Sequence, residues 1–337
     1  MNDRKKTAVF LAPEEHIEKV FGKELIREAE SLCRIKSRHL NGAGKEEIKR
    51  LLDGTEIILS TWGMPRMDAE ILKEADDLKI IIYGASSVKS FVTEELFSRN
   101  ITVTSAAGVN GRVVAEFCLA LITLCIKEAW SFIRFPEKTA SYFTRQKNWT
   151  GLSGFRNAVI GIIGASSVGR WVIRMLSGYP CRVLVYDPHL SAGDAAEMGA
   201  RKAELDDVFT EADVLSLHAP NLPELKGMVS RSHLGMMKNG AWFINTARGA
   251  LVDQQALIEE LKRGRINACL DVTDPEPPAE DSPLLKLPNV ILTPHMAGAI
   301  GSDWKRLGEY CLDELRRYCE GKPALSPVLP EKLSIMG

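Results

Sequence analysis

The sequence predicts an α/β protein that contains two doubly wound parallel sheets. A chain of 337 residues exceeds the size at which one hydrophobic core usually keeps growing. Short apolar runs alternate with amphipathic helical patterns along most of the chain, which is typical of βαβ units and a parallel sheet. The alternation occurs as two series with a long apolar segment between them, so we expect two domains.

The first series contains four predicted strands with helical patterns between them, at residues 8–13, 55–62, 78–85 and 101–107. The second series begins after Gly154 and contains six, at residues 158–164, 182–187, 214–220, 240–247, 268–272 and 290–295. Six strands are enough for a complete doubly wound sheet. Asp253 is placed to cap the helix that leads to Gly264.

The helical segments that flank the second series define the domain boundaries. Residues 113–127 carry apolar side chains at helical spacing, which predicts a long and mostly buried helix. The most apolar part, 117–126, spans about ten residues, too few for a bilayer that needs roughly 20. The amphipathic segment 304–319 is expected to fold back onto the first domain. The predicted domains are 1–107 with 299–337, and 108–298, joined by glycine-containing crossings near 106–111 and 296–301 that suggest a hinge and a closing cleft.

The composition is that of a soluble globular protein and narrows the possible partners. Hydrophobic residues make up 45%, charged residues 26%, and the net charge is -1. This balance favours neither a nucleic acid nor a membrane surface as partner. The seven cysteines include no C-x-x-C pair, so we expect free thiols in a reducing cytoplasm and no metal site.

The turn after the predicted strand 158–164 has the context of a dinucleotide-binding fingerprint, strand then glycine turn then helix. Gly164 is suited to the tight turn and Gly169 to close packing of the helix. Ser166 occupies the middle position, where a glycine usually lets the backbone approach a pyrophosphate. Ser167 and Val168 open the helix, whose free backbone amides are expected to face that pyrophosphate.

An acidic residue at the end of the next strand strengthens the cofactor prediction. Asp187 follows Gly164 by 23 residues, where a carboxylate accepts hydrogen bonds from ribose hydroxyls and repels a 2′-phosphate, which favours NAD over NADP. An aspartate at a strand end is also a common helix cap, and that interpretation remains open for Asp187 alone. Pro220, Thr246 and Asp271 stand at the ends of later strands and complete the predicted cofactor-binding set.

Three further residues suit the reduction of a 2-keto acid. Arg248 offers a planar cation for a carboxylate and the adjacent carbonyl. His295 is the side chain type that exchanges a proton near neutral pH, and Glu276 is able to hold its imidazole by a hydrogen bond. Each residue alone has a structural explanation, as a surface cation, a turn histidine or a loop acid. Their occurrence at successive strand ends of one sheet favours the catalytic interpretation.

Long stretches of the sequence resemble the D-isomer-specific 2-hydroxyacid dehydrogenase family. The matching stretches are residues 161–169, 186–188, 240–253, 270–277 and 287–298. The resemblance implies a central Rossmann NAD-binding domain, a flavodoxin-like lid and substrate domain formed by both chain ends, and a homodimer. It also implies that the helix 113–127 and an arm near Trp149 lie at or near the dimer interface.

The resemblance assigns roles to particular residues. It gives Arg248, Glu276 and His295 the catalytic positions, and Asp187 and Asp271 cofactor positions. The segment 83–89 resembles the lid loop whose backbone amides bind the substrate carboxylate, which makes Ala85 and Ser86 candidate substrate-binding residues. Ser86 stands where a glycine is common in the family.

We therefore expect the protein to be an NAD-dependent oxidoreductase that acts on the CH-OH group of donors. Its expected substrate is a small 2-keto acid such as glyoxylate or hydroxypyruvate. One alternative is activity like that of a D-3-phosphoglycerate dehydrogenase, in which Lys89 or Arg66 meets a phosphate. A second alternative is an NAD(H)-responsive binding protein of the corepressor type, which shares the fold. A third is a Rossmann protein with unrelated chemistry.

Overall fold

The computed structural model describes residues 5–40, 44–134 and 154–335. Contacts between Cα atoms divide the chain into two compact units. The discontinuous unit comprises Met1–Gly111 and Ala299–Met336, and the central unit comprises Arg112–Gly298. The arm near Trp149 that the sequence places at an interface lies outside the described residues.

The discontinuous unit is built around a five-stranded parallel sheet in the order β2-β1-β3-β4-β5, the flavodoxin-like order. Its strands are β1 Thr7–Phe10, β2 Arg34–Ile35, β3 Ile57–Ser60, β4 Ile80–Tyr83 and β5 Thr102–Ser105. Its helices are α1 Glu14–Val20, α2 Gly22–Leu32, α3 Lys45–Leu52, α4 Ala69–Leu72, α5 Glu94–Ser98 and, from the C-terminal part, α13 Trp304–Cys319. Because helices cover both faces of the sheet, β1, β3 and β4 are buried along their whole length and are continuously apolar rather than alternating.

The central unit contains a seven-stranded parallel sheet in the order β12-β11-β10-β9-β6-β7-β8. Its strands are β6 Val159–Ile163, β7 Arg182–Tyr186, β8 Arg201–Lys202, β9 Val214–Leu217, β10 Trp242–Asn245, β11 Asn267–Leu270 and β12 Val290–Leu292. Its helices are α7 Ala129–Arg134, α8 Ser167–Leu176, α9 Ala192–Glu197, α10 Leu205–Glu211, α11 Arg231–Met236 and α12 Gln254–Lys262. The strand order reverses beside β6, which is where doubly wound sheets bind their ligands.

The sequence predicts six strands for this sheet, and the structure has seven, so the prediction was wrong by one strand. The additional strand, β8, is only two residues long and lies at the edge beside β7. Arg201 and Lys202 are polar, so this strand has no apolar pattern that sequence analysis would detect. The predicted cap of α12 is confirmed, because the Asp253 carboxylate accepts a hydrogen bond from the Ala256 amide at 2.9 Å.

The apolar helix between the two series begins earlier than predicted. Helix α6 spans Ala107–Ile126. The two units divide between Gly111 and Arg112, at the end of the predicted crossing near 106–111, so this crossing is helical and Gly108 and Gly111 lie within helical backbone. The predicted apolar length of ten residues was wrong. At 20 residues and mean hydropathy 1.8, α6 is long and apolar enough to cross a membrane. Buried core helices have the same length and composition, and Cys118, Ile122 and Cys125 pack in the core of the central unit.

Helix α13 has the bounds that the sequence predicts and returns to the core of the discontinuous unit through Leu307, Cys311 and Leu315. Its buried carboxylate, Glu314, is 1% exposed. This carboxylate accepts hydrogen bonds from the Tyr310 hydroxyl and from the backbone amides of residues 325 and 326, at 2.9–3.1 Å. The backbone that follows α13 is therefore held to this helix by hydrogen bonds to the buried Glu314 carboxylate.

Candidate active site

The predicted polar residues of the central unit follow β10, β11 and β12, three adjacent strands whose carboxyl ends lie on one edge of the sheet. Backbone hydrogen bonds continue past the strand ends. The Asp271 amide donates to the Asn245 carbonyl, and the His295 amide donates to the Asp271 carbonyl, both at 2.9 Å. The segments that carry the candidate residues are therefore joined directly to one another.

His295 and Glu276 form a hydrogen-bonded pair. The imidazole Nδ1 lies 2.6 Å from Glu276 Oε1, and the two side chains are 47% and 41% exposed. With the carboxylate accepting from Nδ1–H, the tautomer is fixed and Nε2 is the nitrogen available for proton exchange. Nε2 has no hydrogen-bond partner within the part of the chain that the structure describes. The sequence prediction that these two residues meet is correct.

The loop that carries Glu276 is anchored at the residues just before it, Thr273 and Asp274. The Gln254 side chain makes two hydrogen bonds to the Asp274 backbone, accepting from its amide at 2.9 Å and donating to its carbonyl at 2.6 Å. A Cβ placed on Gly249 would lie 2.1 Å from the Thr273 carbonyl carbon, so only glycine allows this approach. Sequence analysis missed Gln254, because nothing in its position at the start of α12 indicates a contact 20 residues away.

Asp271 organises the backbone around His295. The carboxylate is 3% exposed and accepts hydrogen bonds from the Thr293 hydroxyl at 2.6 Å and from the amides of Met296 and Ala297 at 2.9 Å. His295 itself has a φ of 52°, a left-handed conformation that few residue types adopt readily. These bonds hold that bend in place. A contact between Asp271 and a nicotinamide carboxamide remains a prediction.

Arg248 follows β10, where the Asn245 side chain shapes the turn. Asn245 donates to the Arg248 carbonyl and accepts from the Ala247 amide, both at 3.0 Å. The guanidinium is half-buried and donates to the Ala247 carbonyl at 2.7 Å. Among the described residues no carboxylate forms an ion pair with it, so its remaining donors are available to an anion. One strand separates β10 from β12, which places their ends about 10 Å apart.

The glycine turn after β6 is tightly packed. Gly164 has a φ of +96°, and a Cβ there would lie 2.6 Å from the Ala219 amide nitrogen. A Cβ on Gly169 would lie 2.1 Å from the Gly164 carbonyl oxygen. Ser166, which departs from the usual fingerprint, has a φ of −62° and needs no glycine. Its hydroxyl caps α8 by accepting from the Gly169 amide at 3.5 Å, so the serine preserves the turn.

The residues around this turn fit a dinucleotide. Ser167 and Val168 occupy the first two positions of α8, where backbone amides have no acceptor within the helix and favour an anion. Asp187 ends β7 and is held by two backbone amides, those of Ala165 at 2.7 Å and His189 at 2.8 Å, one on each carboxylate oxygen. Each oxygen retains a lone pair that a ribose hydroxyl is able to use.

Two other predicted cofactor residues lie at the ends of β9 and β10. Pro220 is half-buried, and Thr246 is buried with its hydroxyl 3.2 Å from the Cys118 thiol. Beside them, His218 is buried with Nε2 2.9 Å from the Ser216 hydroxyl. Burial lowers the pKa of His218 to about 3, so this imidazole is neutral at ordinary pH. With its ring buried and hydrogen-bonded to Ser216, His218 has a structural role.

The predicted substrate loop belongs to the discontinuous unit and follows β4. The buried Ser105 hydroxyl lies 3.0 Å from the Ala85 carbonyl oxygen and 2.7 Å from that of Ser86. Within the described ranges, the backbone amides of Ala85 and Ser86 have no acceptor. A loop whose carbonyls are satisfied from the interior and whose amides are free has the donors that an anion requires.

Comparison with known proteins identifies the class to which this site belongs. A profile of the D-isomer specific 2-hydroxyacid dehydrogenase, NAD binding domain, matches residues 126–297, about half of the chain. A glyoxylate reductase from Korarchaeum cryptofilum is 32% identical over 260 residues, which cover 76% of this chain and 77% of that protein. The chain belongs to the D-isomer-specific 2-hydroxyacid dehydrogenase family, as the sequence resemblance implies.

Two further proteins are similar to most of this chain. A D-3-phosphoglycerate dehydrogenase from Archaeoglobus fulgidus is 30% identical over 291 residues, 85% of this chain and 54% of that protein. The chain therefore spans about half the length of the phosphoglycerate dehydrogenases it matches. A crystal structure of a protein from Thermus thermophilus is 29% identical, with a TM-score of 0.69 and coverage of 96% of this chain and 100% of the other.

Proposed function

We propose that this protein is an NAD-dependent D-2-hydroxyacid dehydrogenase that reduces a small 2-keto acid. The observation that carries the proposal is the His295–Glu276 hydrogen bond of 2.6 Å, located on the edge of the sheet where a doubly wound unit binds its ligands. Family membership and the NAD-binding profile over residues 126–297 support it. When bound, the nicotinamide cofactor supplies the hydride.

The chain's own residues supply the proton for the carbonyl oxygen and the positive charge that binds the keto acid. His295 Nε2 donates a proton to the carbonyl oxygen of the keto acid, and Glu276 stabilises the imidazolium before that transfer by accepting from Nδ1–H. Arg248, which has no acidic partner among the described residues, binds the keto acid through its planar guanidinium. In the discontinuous unit, the free amides of Ala85 and Ser86 bind the substrate carboxylate.

The cofactor is NAD in preference to NADP. The Asp187 carboxylate is fixed by two backbone amides at the end of β7. A ribose with free hydroxyls donates to this carboxylate, whereas a 2′-phosphate brings a second negative charge against it. The cofactor-binding set is therefore the glycine turn with its first helical turn, Asp187, and the strand-end residues Pro220, Thr246 and Asp271.

The substrate is glyoxylate or hydroxypyruvate. A relative of similar length is a glyoxylate reductase, which supports a small acid. The alternative, a phosphoglycerate, is supported by the longer relatives and by two exposed cations in the discontinuous unit, Arg66 and Lys89, for which the described residues provide no acidic partner. These alternatives differ in whether phosphate on the substrate improves kcat/KM.

The proposal is tested by mixing purified protein with NADH or NADPH and a panel of 2-keto acids while following absorbance of the reduced cofactor. We expect reduction of glyoxylate or hydroxypyruvate with NADH and much slower reduction with NADPH. If a phosphorylated keto acid is the best substrate, the phosphoglycerate alternative replaces the proposed substrate. If NADH binds but none of the acids is reduced, the NAD(H)-responsive binding protein becomes the better interpretation.

The protein is proposed to act as a cytoplasmic homodimer. The cysteines are free thiols and five of the seven are buried, which suits a reducing compartment. The family resemblance supports a dimer joined through the central unit. Light scattering coupled to gel filtration tests the dimer, since a mass near that of one 37.3 kDa chain would contradict it.

A further inference from the structure

Ser86 lies in the predicted substrate loop, at a position where the family resemblance leads us to expect glycine. Its backbone is not left-handed, so any L residue fits and a glycine is not required here. The Ser86 side chain is half-buried, and its hydroxyl oxygen lies 2.8 Å from Asn110 Nδ2. Asn110 is on the first turns of α6, at the end of the discontinuous unit's first segment.

The direction of this hydrogen bond follows from the other end of the Asn110 amide. Asn110 Oδ1 accepts from the Ala299 backbone amide at 2.8 Å. The oxygen is the only acceptor of an asparagine side chain, so it faces the Ala299 N–H and the NH2 group is oriented towards Ser86. Asn110 therefore donates, and the Ser86 oxygen accepts. The Ser86 hydroxyl keeps its own proton, and no acceptor for that proton occurs among the described residues.

The carbonyls of the loop are occupied in the same way. The Ser105 hydroxyl faces the carbonyl oxygens of Ala85 and Ser86, and the Thr61 hydroxyl donates to the Gly84 carbonyl at 3.1 Å. With the carbonyls of residues 84–86 turned inward, the groups that this stretch leaves without a partner among the described residues are donors: the backbone amides of Ala85 and Ser86 and the Ser86 hydroxyl proton. An anion is the ligand that matches a set of donors without acceptors.

We propose that the Ser86 hydroxyl donates a hydrogen bond to the carboxylate of the 2-keto acid, and that Asn110 is the positioning residue that aims it. The proposal rests on the proposed function and adds a side-chain donor to the backbone amides of the loop. A hydrogen bond to a charged group that is lost on mutation weakens binding by about tenfold or more. The effect falls on KM and not on kcat, because the carboxylate carries its charge before and after hydride transfer.

The first experiment compares Ser86→Ala with the wild-type protein. We expect KM for each keto acid, and Kd for oxamate bound to the protein–NADH complex, to rise about tenfold, with kcat within about threefold and NADH affinity unchanged. Ser90→Ala is the matched control, since Ser90 is exposed just beyond the loop and forms no described hydrogen bond. A Ser86→Ala protein with the KM of the Ser90→Ala protein would overturn the proposal.

The second experiment tests Asn110 by reversing the hydrogen bond. In Asn110→Asp the carboxylate still accepts from the Ala299 amide but now also accepts the Ser86 proton, which removes that proton from the substrate. We expect Asn110→Asp to raise KM in the Ser86 protein by more than it does in the Ser86→Ala protein. Simple repulsion between the new carboxylate and the substrate acts equally in both backgrounds, so equal effects would overturn the positioning role.

Failure of the proposed function and failure of the Ser86 assignment give different results in these experiments. If the wild-type protein neither reduces a keto acid nor binds oxamate with NADH present, the proposed function fails and the Ser86 assignment with it. If the wild-type protein reduces a keto acid and Ser86→Ala does so with an unchanged KM, only the Ser86 assignment fails.

Discussion

At the scale of single residues, His295 combines a chemical role with an unusual backbone conformation. Its φ of 52° would be strained for most residues, and asparagine is among those that tolerate it best. We therefore expect His295→Asn to keep the bend and lower kcat by about 10²–10⁴-fold, the usual contribution of a positioned acid or base. NADH affinity measured by fluorescence titration should stay unchanged.

The matched control is His39→Asn, since His39 belongs to the discontinuous unit, where its imidazole lies 3.6 Å from Glu14. It should retain the wild-type kcat. A His295→Asn protein that turns over as fast as this control would remove the proposed proton donor.

His218 provides a residue-scale prediction about acid stability. Its folded pKa of about 3 lies below the ordinary value of 6.5 because the imidazole is buried. As pH falls below 6.5 the unfolded chain takes up a proton that the folded chain does not, so stability is lost. Between pH 7 and pH 5 this contribution is about 2 kcal/mol. Urea unfolding of His218→Gln should show a correspondingly smaller loss of stability over that interval.

Comparison with His39→Asn separates this effect from a general response of the protein to acid. If the His218→Gln and His39→Asn proteins lose the same stability between pH 7 and pH 5, the buried neutral state of His218 is contradicted.

At the scale of elements, Gly249 allows the turn after β10 to pack against the loop after β11. A Cβ at this position would lie 2.1–2.5 Å from the backbone of Thr273 and Asp274, which has to move away. We expect Gly249→Ala to lower the free energy of unfolding by about 1–3 kcal/mol. It should also lower kcat, because the displaced loop carries Glu276.

The control for Gly249→Ala is a glycine with open space around it. Gly235 lies in α11, where a Cβ would meet no atom within 4 Å and the backbone is not left-handed, so Gly235→Ala should be neutral or slightly stabilising. Urea unfolding and kcat of both variants decide the matter. Equal stability and equal activity would show that the turn and the loop are not in close contact.

Some secondary-structure elements were predictable from the sequence and others were not. The longer strands were predictable because burial on both faces of a parallel sheet leaves continuous apolar runs. The two-residue strands β2 and β8 have no such runs. The crossing near residues 106–111 was predictable from its glycines, but its helical conformation was not, because tertiary packing of α6 outweighs the low helix propensity of Gly108 and Gly111.

The candidate site shows the same division. The His295–Glu276 pair was predictable, since strand ends on one sheet edge converge. The supporting contacts were not, because they join segments far apart in sequence, such as Asn110 with Ala299 and Gln254 with Asp274. No local pattern indicates a partner at such a distance.

At the scale of the whole molecule, the reactivity of the cysteine thiols indicates whether the cores of both units are folded, because most of these thiols are buried. All seven are free, and two are only partly buried, Cys181 and Cys319. Burial raises the pKa of Cys33 in the discontinuous unit and of Cys118 in the central unit to about 12, which leaves little reactive thiolate. We expect a thiol reagent such as Ellman's to modify at most two cysteines in the native protein and seven after denaturation.

The double variant Cys181→Ser with Cys319→Ser is the control, and it should show almost no native reactivity and five thiols on denaturation. Rapid modification of three or more cysteines in the native wild-type protein would contradict the burial described for the two cores.

The hydrogen bonds between Glu314 and the backbone of residues 325 and 326 have a consequence for C-terminal truncation of this protein. Deleting everything after position 324 removes mostly exposed residues and the buried Val328, and it also removes both backbone amides that donate to the Glu314 carboxylate. The buried Glu314 carboxylate would then keep one described hydrogen-bond donor, the Tyr310 hydroxyl. Leaving a buried charge with too few donors lowers the free energy of unfolding by more than the loss of two ordinary hydrogen bonds. Shortening this segment should therefore destabilise the protein less when Glu314→Gln is introduced at the same time.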